Sequence, residues 1–524
     1  EISTADIAGV IDPAKMRAES WQEPWTWRPE DWRDSYLDLN VIRNQNPGPS
    51  TSPGTARPSL YSYNGISPAP TIRVAADGEL RVRLRNTMGQ NKDNVPVGPA
   101  PDPFEFKEEF RMEICALVEE QVRGGDPMNP RRCRPLLFPE QVLQKLNVKT
   151  RPGWNIGGHI NGEHGAHTTN LHTHGLHVSP DTNADGSHSD NIFLRVIPRA
   201  DWQARLDEMG SGEDVLADHE YVGQLDYKFE LPFKRGETAI PHPPGTHWYH
   251  PHSHGSTHNQ VASGMAGFLI VEGDVDEAIN LAMCGKHRID PETPTGPFDY
   301  RERLVFIQRV EVGSQDMDAG PRKQTLRFPP LIAVNGVKKT AMFRMRPGAV
   351  ERWRVINGSV DGAGTKRFMV LEGQFVQLKN RIWRVVTEPM GEGKEKTEKR
   401  RLEPVSEQDL EDAKVNIQML SMDGITLVSM EDGKAKHRIR DLSKINAGTE
   451  NPFARKRRAG ESEYENRLKA FESVFRDGDS LRRSFNRPDE IYMTNANRAD
   501  VLFKAPPDSA GKVFTVFAKE AHFH

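Results

Sequence analysis

Between Glu79 and Asn86 every second residue is apolar: Leu80, Val82 and Leu84 alternate with Arg81, Arg83 and Arg85. A period of two belongs to a strand with one face on a core and its arginines toward water. The run follows an Asp77-Gly78 turn signal and a turn-to-strand stretch from Tyr63 to Val74. Comparable runs start at Thr169 and recur at Tyr227 to Leu231, Thr246 to His250 and Phe268 to Val271. A second series comprises Arg303 to Ile307, Ala333 to Gly336, Val350 to Ile356, Phe368 to Leu371, Val415 to Leu420 and Val501 to Phe503. Many short strands with turn signals and few helices predict an all-β chain of sandwiches or barrels.

At 524 residues the chain has room for two to four domains, each with its own core. Residues 1–58, with Trp21, Trp25, Trp27 and Trp32, read as an N-terminal arm laid over a domain surface, or as a mobile tail. The first domain spans 59–275, with an insertion over about 90–158 that holds a helix near Phe106 to Val122. Pro291, Pro294, Gly296 and Pro297 punctuate a linker over 276–300. The second domain spans 301–524, with charged insertions at about 385–414 and 435–487. In the latter, Tyr464, Leu468, Phe471 and Phe475 share a helical face.

Charge excludes some functions. The 70 Lys+Arg against 74 Asp+Glu leave −4, which does not suit a nucleic-acid or anionic-membrane partner. The basic or mixed runs Lys394 to Arg401, Arg438 to Arg440 and Arg455 to Arg458 read as solvated loops. No apolar stretch approaches the ~20 residues that span a bilayer, and no export signal stands in the sequence. Three cysteines are too few for a disulfide scaffold; Cys115 and Cys133 are close enough to bridge in an oxidising compartment, leaving Cys284 over.

Six of the 18 histidines form two groups, His172 with His174, and His247, His250, His252 and His254. Residues two apart on a strand share a face, about 6.6 Å apart along the backbone. That suits adjacent ions in a cluster at least as well as one tetrahedral ion. Imidazoles without thiolate or carboxylate leave copper and zinc as the short list.

The stretch Asn170-Leu171-His172-Thr173-His174-Gly175-Leu176-His177-Val178 and the stretch Gly245 to Gly255, followed by Gly264-Met265-Ala266-Gly267, resemble the first-domain copper motifs of the laccase-like multicopper oxidases. Tyr63-Asn64-Gly65 through Ile72 resembles the opening of that domain. Arg346-Pro347-Gly348, Arg352 to Gly358, Met422-Asp423-Gly424 and Asn497 to Leu502 resemble the middle domain. The resemblance implies tandem cupredoxin-like Greek-key sandwiches or barrels with helical and loop insertions. It implies a type 2 copper on His172 and type 3 coppers on His174, His250 and His252, in a trinuclear cluster. An acidic residue, Asp185 or Asp190, would deliver protons toward oxygen. His247 and His254 receive no copper in the family pattern.

That pattern also requires a His-Cys-His stretch for a type 1 copper, and none of Cys115, Cys133 and Cys284 has flanking histidines. Four histidines do not complete the cluster, and the His522-x-His524 pair is followed by neither glycine nor strand. The resemblance thus implies the first two domains of an oxidase that couples one-electron oxidation of a phenolic or metal-ion reductant to reduction of dioxygen to water. A third domain or separate chain would supply the rest, and the location would be periplasmic or secreted. The alternatives are a non-catalytic copper-binding or assembly subunit, and a zinc hydrolase built on His-x-His in an α/β barrel.

Overall fold

The computed structural model describes residues 19–20, 23–28, 36–43, 61–90, 167–209, 216, 219–235, 238–310, 331–336, 341–360, 366–378, 381–390, 397–415, 417–426, 428–431, 434–437 and 490–520. The helices expected near 106–122 and 461–476, Cys115, Cys133, His522 and His524 lie outside them.

The first half contributes β1 (Thr26–Trp27), β2 (Leu37–Arg43), β3 (Tyr61–Tyr63), β4 (Ala69–Ala75), β5 (Glu79–Asn86), β6 (His172–His174), β7 (Gln224–Glu230), β8 (Gly245–His250) and β9 (Gly267–Glu272). One sheet runs β7-β5-β2-β3 and the other β1-β4-β9-β8-β6. Leu80, Val82 and Leu84 join Leu39, Val41, Tyr227 and Phe229 from the first sheet and Ile72, Val74, Leu269 and Val271 from the second in one buried cluster. Each such side chain is worth about 1.5–3 kcal/mol relative to exposure. The alternate arginines point outward to carboxylates, Arg83 to Asp226 and Arg85 to Asp38.

Residues 37–43 correct the N-terminal arm. They form an interior strand between β5 and β3 because Leu37, Leu39 and Val41 alternate with polar residues and bury on the core side. Trp27 is also buried, beside β4.

The second half contributes β10 (Arg301–Val310), β11 (Leu331–Val334), β12 (Val350–Asn357), β13 (Lys366–Glu372), β14 (Gln418–Met422), β15 (Ile425–Thr426), β16 (Glu490–Met493), β17 (Arg498–Lys504) and β18 (Phe514–Glu520). Its sheets run β11-β10-β12-β17-β14-β15 and β16-β13-β18. Val305, Trp353, Val355, Phe368, Ile491, Val501 and Phe503 fill the space between them.

Two sequence expectations change here. The linker begins as a helix, Asp274–Cys284, whose Asp276 carboxylate accepts from the Gly273 amide and which ends at left-handed Gly285. The stretch expected as a charged insertion at 385–414 contains strands and a helix. Arg381–Met390 and Thr397–Pro404 pair as a hairpin, extended by Phe375–Leu378. The helix Glu407–Ala413 follows, starting at a Ser406–Asp409 capping box. Leu410 and Ala413 pack with Ile382 and Phe375 against Met369 and Leu371.

Every residue of β12 is buried because both of its faces are covered. Trp353 and Val355 face their own core, while Ile356 packs with Leu304 and Phe306 against Trp248, Phe268 and Ile270 of the first half. Beside that apolar contact lies a buried ion cluster. Glu302 accepts from Arg73 at 2.9 Å and from Arg354 at 2.8 and 2.9 Å. Asp276 accepts from Arg352 at 2.6 Å and Arg354 at 2.7 Å, and Asp500 from the same two arginines at 2.7 and 3.0 Å. Three arginines thus meet three carboxylates at the seam, with Arg73 joining from the first half and Asp276 from the helix Asp274–Cys284. Burial pushes the Glu302 carboxyl up, but Arg354, Arg73 and Arg352 outweigh it and hold it well below the usual range.

Candidate metal centre

The two histidine motifs meet because β6 and β8 are antiparallel neighbours. His172 lies opposite His250, and His174 opposite Trp248. Directly opposed residues share a face, so all four side chains stand on one side of the sheet. His174 Nδ1 approaches His250 Nε2 at 3.2 Å. A nitrogen atom from each of His172, His174 and His250 lies within 4.8 Å of the others.

His252 stands just beyond the strand, its ring 5.1 Å from that of His172 and 6.0 Å from that of His250. Its backbone N–H donates to Asn170 Oδ1 at 2.6 Å, and the Asn170 amide donates to Ile192 O at 2.7 Å. Asn170 therefore ties the second motif to the loop after the first. It stands in the first motif, yet its residue type alone assigns it no such role.

Hydrogen bonds orient the rings. His172 Nδ1 lies 3.1 Å from the Asp190 carboxylate, which also accepts from the Thr173 amide at 2.9 Å. Asp185 is elsewhere, on an exposed turn with Lys228 at 2.7 Å and Ser187. Lys228 and Ser187 hold its carboxyl well below the ordinary range. His250 Nδ1 donates to Pro251 O at 2.8 Å, which leaves its Nε2 lone pair free toward His174. Burial, then the charge of Arg498, then His172 and His252 lower the His174 imidazole to about 3. Burial followed by His172 pushes His250 and His252 down as well. Neutral imidazoles with free lone pairs are what a metal ion requires.

Trp248 lies against this group, its ring 4.2 Å from that of His250 and 5.2 Å from that of His174, with Phe306 of the second half behind it at 6.3 Å. His247 projects to the other face of β8 and is buried, with neither ring nitrogen hydrogen-bonded among the described residues. His254 is exposed. The Cys284 thiol is partly buried and donates to Asn280 O within its own helix.

The donor set fits copper. Three imidazoles converge with no carboxylate or thiolate among them, and carboxylate and backbone acceptors on the remote nitrogens of His172 and His250 fix the ring tautomers. Asp190→Ala is expected to weaken metal binding about 10–100-fold, since it removes the acceptor that orients His172. Asp185→Asn should leave it unchanged, and competition titration against a chelator measures both.

Residues 235–276, which contain β8 and β9, match the family model described as multicopper oxidase. Among solved structures, a multicopper oxidase from Pediococcus acidilactici matches at 13% identity over 95% of this chain and 58% of its own, with TM-score 0.41. The McoA multicopper oxidase of the hyperthermophile Aquifex aeolicus matches at 12% identity over 96% and 60%, TM-score 0.41. A Campylobacter jejuni multicopper oxidase, titled a metallo-oxidase, matches at 12% identity over 95% and 56%, TM-score 0.37. The chain spans less than two thirds of the length of each. The family match falls on the strand that carries His250, and over residues 235–276 the chain is similar to the multicopper oxidases.

Proposed function

We propose that this chain supplies one wall of the oxygen-reducing copper cluster of a multicopper oxidase. The observation that carries this reading is the β6–β8 register, which sets His172, His174 and His250 with their nitrogens within 4.8 Å. His172 holds a type 2 copper, and His174, His250 and His252 hold type 3 coppers. A domain or chain bearing a His-Cys-His stretch closes the cluster and carries the type 1 copper. Copper held there supplies the one-electron chemistry that couples a small reductant to dioxygen.

The residues of this chain do the rest. Asp190 keeps the proton of His172 on Nδ1 and so aims Nε2 at the metal. It is also the carboxylate placed to accept and return protons beside the site. Burial keeps His174, His250 and His252 unprotonated at neutral pH. Trp248 and Phe306 exclude water from the back of the histidine face. The reductant is a phenolic compound or a lower-valent metal ion, and the location is periplasmic or extracellular.

Metal analysis and reconstitution test this. The 524-residue chain loaded with copper is expected to lack intense blue absorption, which needs a copper-bound thiolate. Adding the polypeptide with the His-Cys-His stretch should bring colour, tight copper retention and oxygen consumption together. Stoichiometric zinc without copper in the active protein would overturn the reading. A blue, oxygen-consuming preparation of this chain alone would place the type 1 site here. Copper retention without oxygen consumption in the reconstituted assembly would favour a storage or assembly subunit instead.

A further inference from the structure

The histidine face of the first sandwich is also the face that docks on the second. Thr246, Trp248 and His250 alternate along β8, and the second sandwich meets the first two of them. Thr246 Oγ1 donates to Asp500 Oδ1 and accepts from Arg354 Nη1 at 3.1 Å. Two residues before Asp500 on β17, Arg498 projects the same way and is 5% exposed. Its Nε donates to the Thr246 carbonyl at 3.3 Å. Its other nitrogens bond Asp423 O at 2.9 Å, Asp423 Oδ1 at 3.2 Å and Ala496 O at 3.2 Å. One side of the guanidinium is thus anchored in the second sandwich while the other grips the backbone of β8.

The same group abuts the end of β6. Gly175, which follows His174 directly, has φ +92°, and a Cβ there would lie 2.3 Å from Arg498 Nη2 and 3.0 Å from His247 Nδ1. Only glycine lets the guanidinium lie flush on this turn. Arg498 therefore touches both histidine-bearing strands, at the residue after His174 and four residues before His250.

We propose that Arg498 is a positioning residue through which the second sandwich sets the geometry of the histidine pair on the first. It locks the His174–Gly175 turn and the β8 backbone to one rigid body, so the spacing of the imidazoles depends on the docked seam. The copper arm of the test rests on the function proposed above; the metal-free arm does not.

The test uses the full chain with Arg498→Gln and Arg498→Lys. Hydrogen–deuterium exchange of the metal-free protein is followed in peptides covering 171–177, 245–250 and, as an internal reference, 79–86. Arg498→Gln is expected to speed exchange at least ~10-fold in the first two peptides and leave the reference unchanged. Arg498→Lys keeps the charge without the fork and should recover part of the protection. Unchanged exchange at 171–177 and 245–250 would overturn the proposal, as would an equal rise in all three peptides, which marks a general loss of stability.

In parallel, copper(II) titration with paramagnetic resonance is expected to show about 10–100-fold weaker binding and an altered signal in Arg498→Gln. If the wild-type chain binds no copper while the exchange pattern holds, the positioning role stands and the copper reading fails. If copper binds equally to wild type and Arg498→Gln with unaltered exchange, the copper reading stands and the positioning role fails.

Discussion

His250→Ala is expected to lower copper affinity by more than about 100-fold and to abolish oxygen consumption by the assembled protein, and His172→Ala should do the same. Altering the residues that merely orient a ligand costs about 10–100-fold, so deleting a ligand costs more. His250 is the common member of the site: it faces His172 across the strands and meets His174 nitrogen to nitrogen at 3.2 Å. Removing it leaves two imidazoles on β6 with no partner from β8. Loss of function through misfolding is separable, because among the described residues the His250 side chain bonds only its neighbour's carbonyl, Pro251 O, besides His174. The variant should therefore keep the circular dichroism of the wild type. His254→Ala serves as control, since His254 is exposed and should retain full copper binding. Equal copper content in His250→Ala and wild type would refute the assignment.

The second large effect is on stability. Asp500→Ala is expected to destabilise the protein by about 3–5 kcal/mol, measured by urea unfolding followed by circular dichroism. The loss has a specific origin. Asp500 is fully buried and is shared by Arg352, Arg354 and Thr246, so its removal leaves an uncompensated positive charge and an unaccepted hydroxyl in the seam. Asp38→Ala, which breaks a half-exposed pair with Arg85, should cost under about 1 kcal/mol.

The same cluster sets the acid limit. Burial raises the carboxyls of Glu302 and Asp276, but their arginines outweigh it and depress both below their unfolded values. A depressed carboxyl contributes stability that is present above its unfolded value, about 4, and is lost as pH falls toward the folded one. Glu490, lowered to about 2 by Arg367 and Lys414 against the opposing effect of burial, acts in the same direction. The wild-type melting temperature should therefore hold from pH 7 to about 5 and fall steeply below about 4. A melting temperature that rose on acidification through that range would contradict the seam described here.

Strand patterning made most of the fold readable in advance. Leu80, Val82 and Leu84 bury because side chains two apart share a face, and that rule needs no tertiary information. It also read β8, β9, β10, β12 and β17. It passed over β2, where Leu37, Leu39 and Val41 follow the same rule but stand beside a tryptophan-rich stretch that drew the reading toward an arm. The charged hairpin at 381–404 was missed for a different reason. Its burial comes from one helix and a few apolar contacts, too sparse to outweigh its charge in a window of sequence.

For the site, local spacing was enough to put His172 with His174 on one strand face, and the motif resemblance to single out His250 and His252. Only the tertiary structure decided that β6 and β8 are neighbours in a register that sets His172 against His250, since strand pairing is a long-range choice. It likewise set the two candidate aspartates apart in space: Asp190 reaches His172, whereas Asp185, five residues earlier on the same loop, turns out to Lys228. Spacing along a loop carries no direction, and a carboxylate's partner depends on how the chain folds back. Arg352, Arg354, Arg498 and Asp500 read in sequence as ordinary polar positions of middle-domain strands. Their burial comes from a second sheet arriving on the outer face of the first, an event that no periodicity within either strand can encode.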